Sequence, residues 1–431
     1  MIEGLFMKIK LIRRFFIIRL ALSFIFDFWR IGFLKKRLQG EHLEEAINRI
    51  CAYAGIRMRN TAFRLEGIIV KVGQFLSMRE DLLPKAFTEQ LTDLQDAMPP
   101  VPFSKMKPYL EKELNQRLES IFDRFEKNPI AAASLAQVHK AMLKDGSVVA
   151  VKVIRPNMEK IAKADLDSLG LVAKITKLFP SLRRKMNFVQ LHLEFSQSIL
   201  RELDCRQELI HLQRFSAMFE GDQRIKIPYA YQEYTTKRIL VMEFIEGIRV
   251  TDRTRLHSLG VNTTVIAEIL LKAYFLQLFV YGFIHVDPHP GNLLILSNHR
   301  ICMLDFGMVD ELSMDEVTLF RRLFQSIFLG DLNEILSVLA ELGFVSNKEA
   351  VRPIICQFLD QFSETTSPRD TTAEFGSLLR KNHLQLQAKY MFLLRSLGFM
   401  MSTLKRLTPN TSIFDLLIRV GPEVFRRDRE K

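Results

Sequence analysis

The sequence predicts an α+β chain: helices first, then a small sheet that carries a helical insert, then a mostly helical part. Apolar residues recur at spacings of three and four over long stretches, which is typical of amphipathic helices. The β-like runs are short, occur in pairs and are too few for a large parallel sheet. The length of 431 residues, with 48% hydrophobic and 26% charged residues, indicates an ordinary globular protein of about two to three domains.

The first 40 residues form a basic, aromatic-rich segment. Nine Lys or Arg stand against Glu3 and Asp27, so this segment holds +7 of the chain's net charge of +12. Aromatic rings from Phe15 to Trp29 lie among these cations. No apolar stretch reaches the roughly 18–20 uninterrupted residues of a spanning helix, and no signal-peptide pattern occurs. Two interpretations stay open: a helix lying in a membrane interface, or a helix packed on the protein with a solvated basic edge.

The composition also excludes several classes of protein. The four cysteines lie far apart without a CxxC pair, which excludes a disulfide scaffold and a Cys-based zinc site and favours a reducing compartment. The pI is about 9.5. However, the positive excess concentrates in an apolar helix and no nucleic-acid motif occurs, so we expect no nucleic-acid partner.

The helical periods, breaks and turn signals place the remaining elements. A Lys-Asp-Gly sequence joins the first two strands and is typical of a hairpin turn. In chain order we predict helical residues 41–98, a break at Pro99–Pro102, a helix from about Ser104 to Leu118, strands Leu135–Met142 and Ser147–Ile154, helical Met158–Phe219, strands Ile225–Tyr229 and Arg238–Ile245, an apolar helix Thr263–Tyr281, a polar loop Gly282–Asn292, strands Leu293–Leu296 and Ile301–Leu304, and helices from a Ser313/Glu316 capping box onward.

Lys152 lies in the second strand, within Val-Ala-Val-Lys-Val-Ile. A lysine in an apolar strand must point into a cleft or find an acid, because a buried unpaired ammonium is costly. In protein kinases the corresponding strand Lys holds the α- and β-phosphates of ATP. The signal is weak alone, since Val-Lys-Val strands are common.

The segment from His285 to Asn292 has the spacing of a kinase catalytic loop, with Asp287 two residues after the His and Asn292 five after the Asp. In that loop the Asp orients the nucleophile and the Asn binds a metal ion. The alternative is a polar turn with helix-capping roles. Asp305-Phe-Gly307 follows thirteen residues after Asn292, and a DFG Asp chelates Mg²⁺ at the nucleotide phosphates. The combination predicts a kinase-like nucleotide site.

The loop expected over the phosphates departs from the kinase pattern. It reads Ala131-Ala132-Ala133-Ser134 where a GxGxxG loop is expected, and alanine resists the positive φ angles that glycine allows. No Ala-Pro-Glu follows Asp305-Phe-Gly307, and a helix start comes within about six residues. A protein kinase activation segment has no room there, which weakens the case for a protein substrate.

These motifs, together with Lys71-Val-Gly-Gln74 and Glu202-Leu-Asp204, resemble the UbiB-type atypical kinases, the aarF-domain-containing kinases. The resemblance runs from about Ile47 to Arg322. It implies an atypical kinase-like bilobal fold with an N-terminal helical extension and a helical insert in the N-lobe. The four parts are residues 1–40, a possible membrane-surface helix; 41–125, the extension; 126–247, the N-lobe; and 248–431, the C-lobe.

The resemblance also implies ATP (or ADP) and Mg²⁺ as cofactors. The acid that pairs with Lys152 lies on the helical stretch containing Glu202 and Glu208; we favour Glu208 and leave Glu202 to meet the Lys71 motif, although the sequence leaves this open. The implied roles are Asp287, Lys152 and Glu208 as catalytic residues, Ala131, Ala132, Ala133, Ser134, Lys152, Lys71, Gln74 and Glu202 around the nucleotide, Glu243 and Ile245 at the adenine hinge, and Asn292 and Asp305 as metal ligands.

The family is associated with isoprenoid-quinone or lipid metabolism and with ATP binding at membranes, which implies an ATP-dependent kinase or ATPase of unknown acceptor. Its partner would be a lipid or quinone-pathway substrate or enzyme complex. The stretch Phe425–Lys431 lacks the paired hydrophobic anchors of many quinone-pathway members. We therefore expect a cytoplasmic chain held on the inner face of an anionic membrane through its N-terminal segment. The oligomeric state is not predicted.

Two alternatives belong to other functional classes. The first is a nucleotide-gated lipid- or protein-binding pseudokinase with negligible phosphoryl transfer, favoured by the Ala-rich loop and the Lys71 helix. The second is a soluble small-molecule phosphotransferase of the aminoglycoside or choline kinase type, which shares the His285–Asn292 spacing. The Lys71-Val-Gly-Gln74 motif argues against it.

Overall fold

The computed structural model describes residues 2–77, 83–95, 99–177, 179, 187–345, 348–349, 351–353, 355–356, 388–409 and 411–427. The end of the stretch 425–431 therefore lies outside the described residues. The chain divides into two compact units. The first unit is Met1–Gln207 with Tyr231–Glu243, and the second is Glu208–Ala230 with Phe244–Lys431.

Helices dominate both units. The α-helices are α1 (Ile2–Leu34), α2 (Gly40–Leu65), α3 (Ile68–Ser77), α4 (Lys85–Thr88), α5 (Phe103–Leu114), α6 (Leu118–Ile121), α7 (Met158–Thr176), α8 (Phe188–Glu202), α9 (Cys205–Met218), α10 (Arg253–Ser258), α11 (Thr263–Leu276), α12 (Met314–Leu329), α13 (Leu332–Glu341), α14 (Ala388–Leu407) and α15 (Ile413–Arg427).

The strands are short and almost entirely antiparallel. They are β1 (Phe122–Phe125), β2 (Ala131–Ala132), β3 (Ala136–Leu143), β4 (Val148–Ile154), β5 (Ile225–Lys226), β6 (Ile239–Glu243), β7 (Ile248–Arg249), β8 (Phe283–His285), β9 (Leu293–Ile295), β10 (Ile301–Met303) and β11 (Val309–Glu311). The first unit holds the sheet β1-β3-β4-β6, with β2 on β3. The second holds the sheet β5-β10-β9-β7 and the pair β8-β11.

The first sheet is built around the β3–β4 hairpin. Its turn is the predicted one: Gly146 has a φ of +87°, and Asp145 accepts a hydrogen bond from Ser147 N at 2.9 Å. Alternate residues of β4, including Val151 and Val153, are buried against α5 and α6. The sheet therefore has one apolar face covered by helices, and the intervening residues of β4 belong to its other face.

Arg13 fixes α1 to the rest of the first unit. Its guanidinium donates to Asp165 Oδ1 at 2.8 Å and to Oδ2 at 2.6 Å, and it also donates to the carbonyl of Leu65. Asp165 is fully buried on α7. Burial raises the pKa of the Asp165 carboxyl, and the neighbouring Arg13 opposes that rise. A second ion pair joins Asp27 to Arg57 of α2.

Helix α1 presents apolar residues on two sides. One side packs on the core formed with α2 and α7 and includes the buried Ile17 and the half-buried Phe24. The other side is exposed. We call it the exposed stripe, and its members, each more than half exposed and three, four or seven positions apart, are Leu11, Phe15, Leu22, Phe26, Trp29 and Phe33. The packed interpretation is therefore confirmed for one face only.

The second unit begins its long helical part as predicted. Ser313 and Glu316 form the capping box at the start of α12, with both reciprocal hydrogen bonds present. Burial raises the pKa of the Glu316 carboxyl, but hydrogen bonds from Lys389, Tyr390 and Ser313 N outweigh it and set the pKa at about 2. Glu316 therefore also ties α12 to α14.

Several predicted boundaries were wrong. The helix expected to reach Leu118 ends at Leu114, because Asn115 adopts a left-handed φ of +52°. The strand expected over Ile225–Tyr229 is only two residues long. The segment predicted as a polar loop after Gly282 begins with strand β8. The sequence did not predict this strand, because it has only three residues and polar residues surround it.

One described stretch, Thr263–Tyr281, is long and apolar enough to cross a membrane by length and composition. It comprises α11 and the π-helical turn Gln277–Tyr281. Two thirds of it is buried within the fold, as in the core helix of a folded unit.

Replacing Arg13 by Met should destabilise the first unit by about 3–5 kcal/mol, because the Asp165 carboxylate stays buried without its ion partner. The double substitution Arg13→Met/Asp165→Leu should recover most of that loss. Urea denaturation followed by circular dichroism would measure both. Arg14→Met, at an exposed position of the same helix, is the matched control. A wild-type midpoint for Arg13→Met would contradict the anchoring role.

Candidate functional site

Lys152 lies on the face of the first sheet opposite its helix-covered core. Strand register sets Lys152 opposite Val138 on one side and opposite Leu240 on the other. Residues opposite each other in antiparallel pairs share a face, so Lys152 belongs to the face that alternates with the buried Val151 and Val153. The next pairing in this row sets Val138 opposite Ala131 of the Ala-rich loop.

The Ala-rich loop is a tight hairpin. Ala131 and Ala132 form β2 on β3, and Ala133 N donates to the carbonyl of Ala136 at 2.8 Å. Ser134 is buried within this turn. The structure describes every residue of this loop, and none of them has a left-handed φ. The loop thus replaces a glycine loop by ordinary antiparallel backbone, as the steric argument about alanine requires.

The Lys71 motif is held on both of its polar residues. Lys71 pairs with Glu202 at the end of α8, and Gln74 Nε2 donates to the carbonyl of Leu94 at 2.7 Å. Asp204 pairs instead with Arg206 at 2.6 Å. The structure therefore brings Glu202 to the Lys71 motif, as the favoured assignment supposed.

The segment predicted as the hinge straddles the division between the units. Glu243 ends β6 and the first unit, and Phe244 begins the next stretch of the second unit. Ile245 follows in the second unit.

A buried histidine, His285, anchors the catalytic loop through hydrogen bonds. His285, at the end of β8, is 4% exposed, and its backbone N donates to Gln277 Oε1 at 2.9 Å. Gln277 begins the π-helical turn that follows α11. His285 Nε2 lies 2.7 Å from the carbonyl oxygen of Asp305. A carbonyl oxygen only accepts, so Nε2 carries the proton.

The catalytic loop (His285–Asn292) and the loop that carries Asp305 are joined at several points. Val309 of β11 pairs with His285 of β8, and Leu304 N donates to the carbonyl of Asn292 at 2.8 Å. Asn292 directly precedes β9 and Asp305 lies two residues after β10, so both lie at the open end of the β9–β10 hairpin, one residue apart in register. Asp287 projects from the same loop, and among the described residues its Oδ1 is buried without a hydrogen-bond donor.

Asp305 has a strained backbone that its own side chain steadies. Its φ is +57°, and Gly307 N donates to its Oδ1 at 3.3 Å. Aspartate is one of the few residues that tolerate this conformation. Phe306 is fully buried against Phe215, with ring centroids 4.9 Å apart. Its carbonyl accepts a hydrogen bond from His211 Nδ1 at 2.8 Å.

The predicted site residues thus fall into two groups. The second unit brings together Asp287, Asn292 and Asp305, and it also places Glu208 Oε2 4.0 Å from the point where a Cβ on Gly307 would lie. Lys152 belongs to the first unit, so its pairing with Glu208 stays a prediction.

Sequence reasoning missed several residues that support these loops. Gln277 and Ser396 bond the backbone of His285, and Arg395 lies 3.7 Å from Asp287. No local motif marks them, because each contact joins residues that are distant in sequence or lies inside an apolar helix.

Comparison with protein families decides the class. Residues 93–339 match the model of the ABC1 atypical kinase-like domain. The chain belongs to the ABC1 atypical kinase-like family. The UbiB-type resemblance and the α+β kinase-like fold class are thereby confirmed.

Two curated relatives illustrate the family. A probable protein kinase UbiB of Marinobacter nauticus is 35% identical over 295 residues, covering 68% of this chain and 54% of the relative. The chloroplastic protein ACTIVITY OF BC1 COMPLEX KINASE 8 of Arabidopsis thaliana is 33% identical over 314 residues, covering 71% of this chain and 41% of the relative. The chain thus spans about half the length of these curated relatives.

A solved structure shares the fold of this ABC1-family chain. It is the complex of Rv3197 with erythromycin from Mycobacterium tuberculosis, at a TM-score of 0.56 and 24% identity, covering 85% of this chain and 93% of that one.

The donor set of the second unit suits Mg²⁺. Asn292 and Asp305 offer amide and carboxylate oxygens, the hard ligands that Mg²⁺ prefers. The part of the chain that the structure describes holds no group of three or more His, Cys, Asp or Glu side chains able to bind a metal. A magnesium ion at Asn292 and Asp305 would therefore need phosphate oxygens and water to complete its six ligands.

Substitution of Asp305 should reveal its backbone strain. Asp305→Asn should melt close to wild type, since asparagine tolerates a left-handed φ and keeps an oxygen that accepts from Gly307 N. Asp305→Ala should be less stable by about 1–2 kcal/mol because it loses both. Thermal melting would measure the difference. Equal stability of the Asn and Ala variants would contradict this account.

Proposed function

We propose that this chain binds ATP (or ADP) with Mg²⁺ and acts as an ABC1-type kinase or ATPase. The observation that carries the proposal is the rigid coupling of the catalytic and metal loops in the second unit through the His285–Asp305 hydrogen bond. Phosphoryl transfer needs mainly positioning and electrostatic stabilisation, and this coupling supplies the positioning.

The proposed roles follow the chemistry of each side chain. Lys152 would bind the nucleotide phosphates, and Glu208 would orient that lysine. Asp287 would orient the attacking hydroxyl or water, and its unsatisfied Oδ1 supports a role as hydrogen-bond acceptor for it. Asn292 and Asp305 would hold Mg²⁺, which would supply positive charge to neutralise the nucleotide phosphates.

The Ala-rich hairpin and the hinge complete the proposed nucleotide site. Ala131, Ala132, Ala133 and Ser134 would cover the phosphates, and the backbone of Glu243 and Ile245 would meet the adenine. In this hairpin the N–H groups of Ile130 and Ala133 donate to the carbonyls of Val138 and Ala136, so these two are engaged in antiparallel pairing. We therefore expect weaker cradling of the γ-phosphate than in glycine-loop kinases.

Hydrolysis of Mg²⁺-ATP by the purified chain tests the proposal. Wild type should release phosphate, more so with anionic liposomes, and EDTA should abolish the release. Asp305→Asn should lower turnover by at least about a hundredfold, because the charged metal ligand is lost while the backbone is kept. Asp315→Asn, an exposed acid on α12, is the matched control and should retain turnover.

Two outcomes separate the readings. Unchanged turnover in a folded Asp305→Asn variant would refute the proposed metal role. No phosphate release from wild type, with ATP or ADP still bound by calorimetry, would favour a nucleotide-gated binding module. The Lys71–Glu202 ion pair and the closed Ala-rich hairpin are the observations that support this second candidate, since both could retain nucleotide without transfer.

We further propose that α1 lies on an anionic membrane surface. The exposed stripe supplies aromatic and aliphatic side chains, and the exposed Arg14, Arg19 and Arg30 lie on the same helix. Rings at headgroup depth with basic neighbours are typical of interfacial helices. The buried Arg13–Asp165 pair supports this reading, because it fixes which side of α1 faces outward. The proposal includes the location expected from the sequence, in the cytoplasm on the inner face of the membrane.

Liposome flotation tests the membrane proposal. Wild type should bind vesicles of phosphatidylcholine with phosphatidylglycerol and should bind less as salt rises. Phe15→Ser/Phe26→Ser should reduce binding by at least about tenfold, since the variant loses two exposed rings that would enter the membrane interface. Leu259→Ser/Leu329→Ser removes two apolar residues elsewhere that are 62% and 82% exposed, and this variant should bind like wild type. Equal binding of both double variants would refute the role of the stripe.

The wider role we propose is support of isoprenoid-quinone or lipid metabolism, through a lipid-like substrate or a pathway enzyme complex. The curated relative termed probable protein kinase UbiB supports this family setting. The test is the quinone and lipid content of cells lacking the chain. Restoration by wild type but not by Asp305→Asn would support the role, and normal content in the deletion would refute it.

A further inference from the structure

Three residues of helix α14 contact the catalytic loop. The helix lies beyond residue 339, where the match to the ABC1 domain ends. The contacting residues stand at positions i, i+1 and i+4, and the first and last of them are neighbours on the helix surface. The pairs are Ser396 Oγ donating to the carbonyl of His285 at 3.1 Å, Arg395 Nη2 at 3.7 Å from Asp287 Oδ1, and the Phe399 ring edge-on to His289 with centroids 5.5 Å apart.

Arg395 is a partly buried cation near the proposed catalytic carboxylate. Its side chain is 17% exposed and its guanidinium lies over the Phe399 ring, 4.8 Å from the centroid. Burial lowers the pKa of the Arg395 guanidinium, and Asp287 opposes that shift. The aromatic ring one helical turn away restrains the guanidinium.

The distance between Arg395 and Asp287 indicates that the guanidinium orients the carboxylate and does not occupy its Oδ1 with a hydrogen bond. At 3.7 Å the guanidinium attracts the carboxylate without donating a hydrogen bond to Oδ1. Asp287 Oδ1 therefore keeps its lone pairs for an incoming hydroxyl or water. A direct hydrogen bond would occupy that oxygen.

We propose that Arg395 is a positioning residue for Asp287. From α14 it holds the carboxylate in one orientation while leaving Oδ1 able to accept a hydrogen bond from the attacking group. The inference rests on the proposed function, because it needs Asp287 to act on an acceptor. Ser396 and Phe399 fix the helix on the same loop, so the guanidinium and the carboxylate move together.

The test compares steady-state Mg²⁺-ATP hydrolysis by wild type and Arg395 variants. Arg395→Met should lower kcat by about 10- to 100-fold, which is part of the roughly 10²- to 10⁴-fold that a positioned acid or base contributes, with KM for ATP within about threefold of wild type. Arg395→Lys keeps a cation but not the planar fork, so it should fold and still lose part of kcat. Arg406→Met, an exposed arginine on the same helix, is the matched control and should retain both constants.

Chemical rescue separates positioning from simple structural support. Guanidinium chloride at millimolar concentration should restore part of kcat to Arg395→Ala, while sodium chloride and methylammonium chloride at equal concentration should not. Wild-type kcat in Arg395→Met, or losses that track lower thermal stability and resist guanidinium, would overturn the inference alone. A wild-type chain without turnover would overturn the proposed function and this inference with it.

Discussion

The hydrogen bond from His285 Nε2 to the carbonyl of Asp305 is the interaction on which the candidate site depends. It joins the two loops that carry Asp287, Asn292 and Asp305. The β8–β11 pairing and the Asn292–Leu304 backbone bond act on the same two loops. Because the bond ends on the backbone of Asp305, it also holds that residue in its left-handed conformation. Positioning and strain therefore share one cause.

The sequence was sufficient where chemistry is local. Spacing predicted that Asp287, Asn292 and Asp305 belong together, and the last two lie at the open end of the β9–β10 hairpin. The Lys152 strand and the Ser313 cap were confirmed for the same reason, since alternation and capping are nearest-neighbour effects. Three-residue strands such as β8 and β11 were not predicted, because three residues are too few to show the alternation of apolar and polar residues that marks a strand. The contact of Arg395 with Asp287 was not predicted because only tertiary packing creates it.

The N-terminal helix shows how a charge can serve packing. In the sequence, Arg13 is one of the cations of the basic, aromatic-rich N-terminal segment. The structure instead buries it against Asp165, where its value is to keep a carboxylate from standing alone in the core. The remaining arginines stay exposed beside the exposed stripe. Composition gave the excess of cations correctly but not their division between interior and surface.

Neither unit is one continuous piece of chain, and this constrains how the protein folds during synthesis. The first unit completes its sheet only when β6, from Tyr231–Glu243, pairs with β4. Before that strand leaves the ribosome, α9 has already carried the chain into the second unit. Nascent β4 must therefore wait with an unpaired edge, a state prone to misassociation. For the same reason, no single cut of the chain yields either unit as an intact fragment.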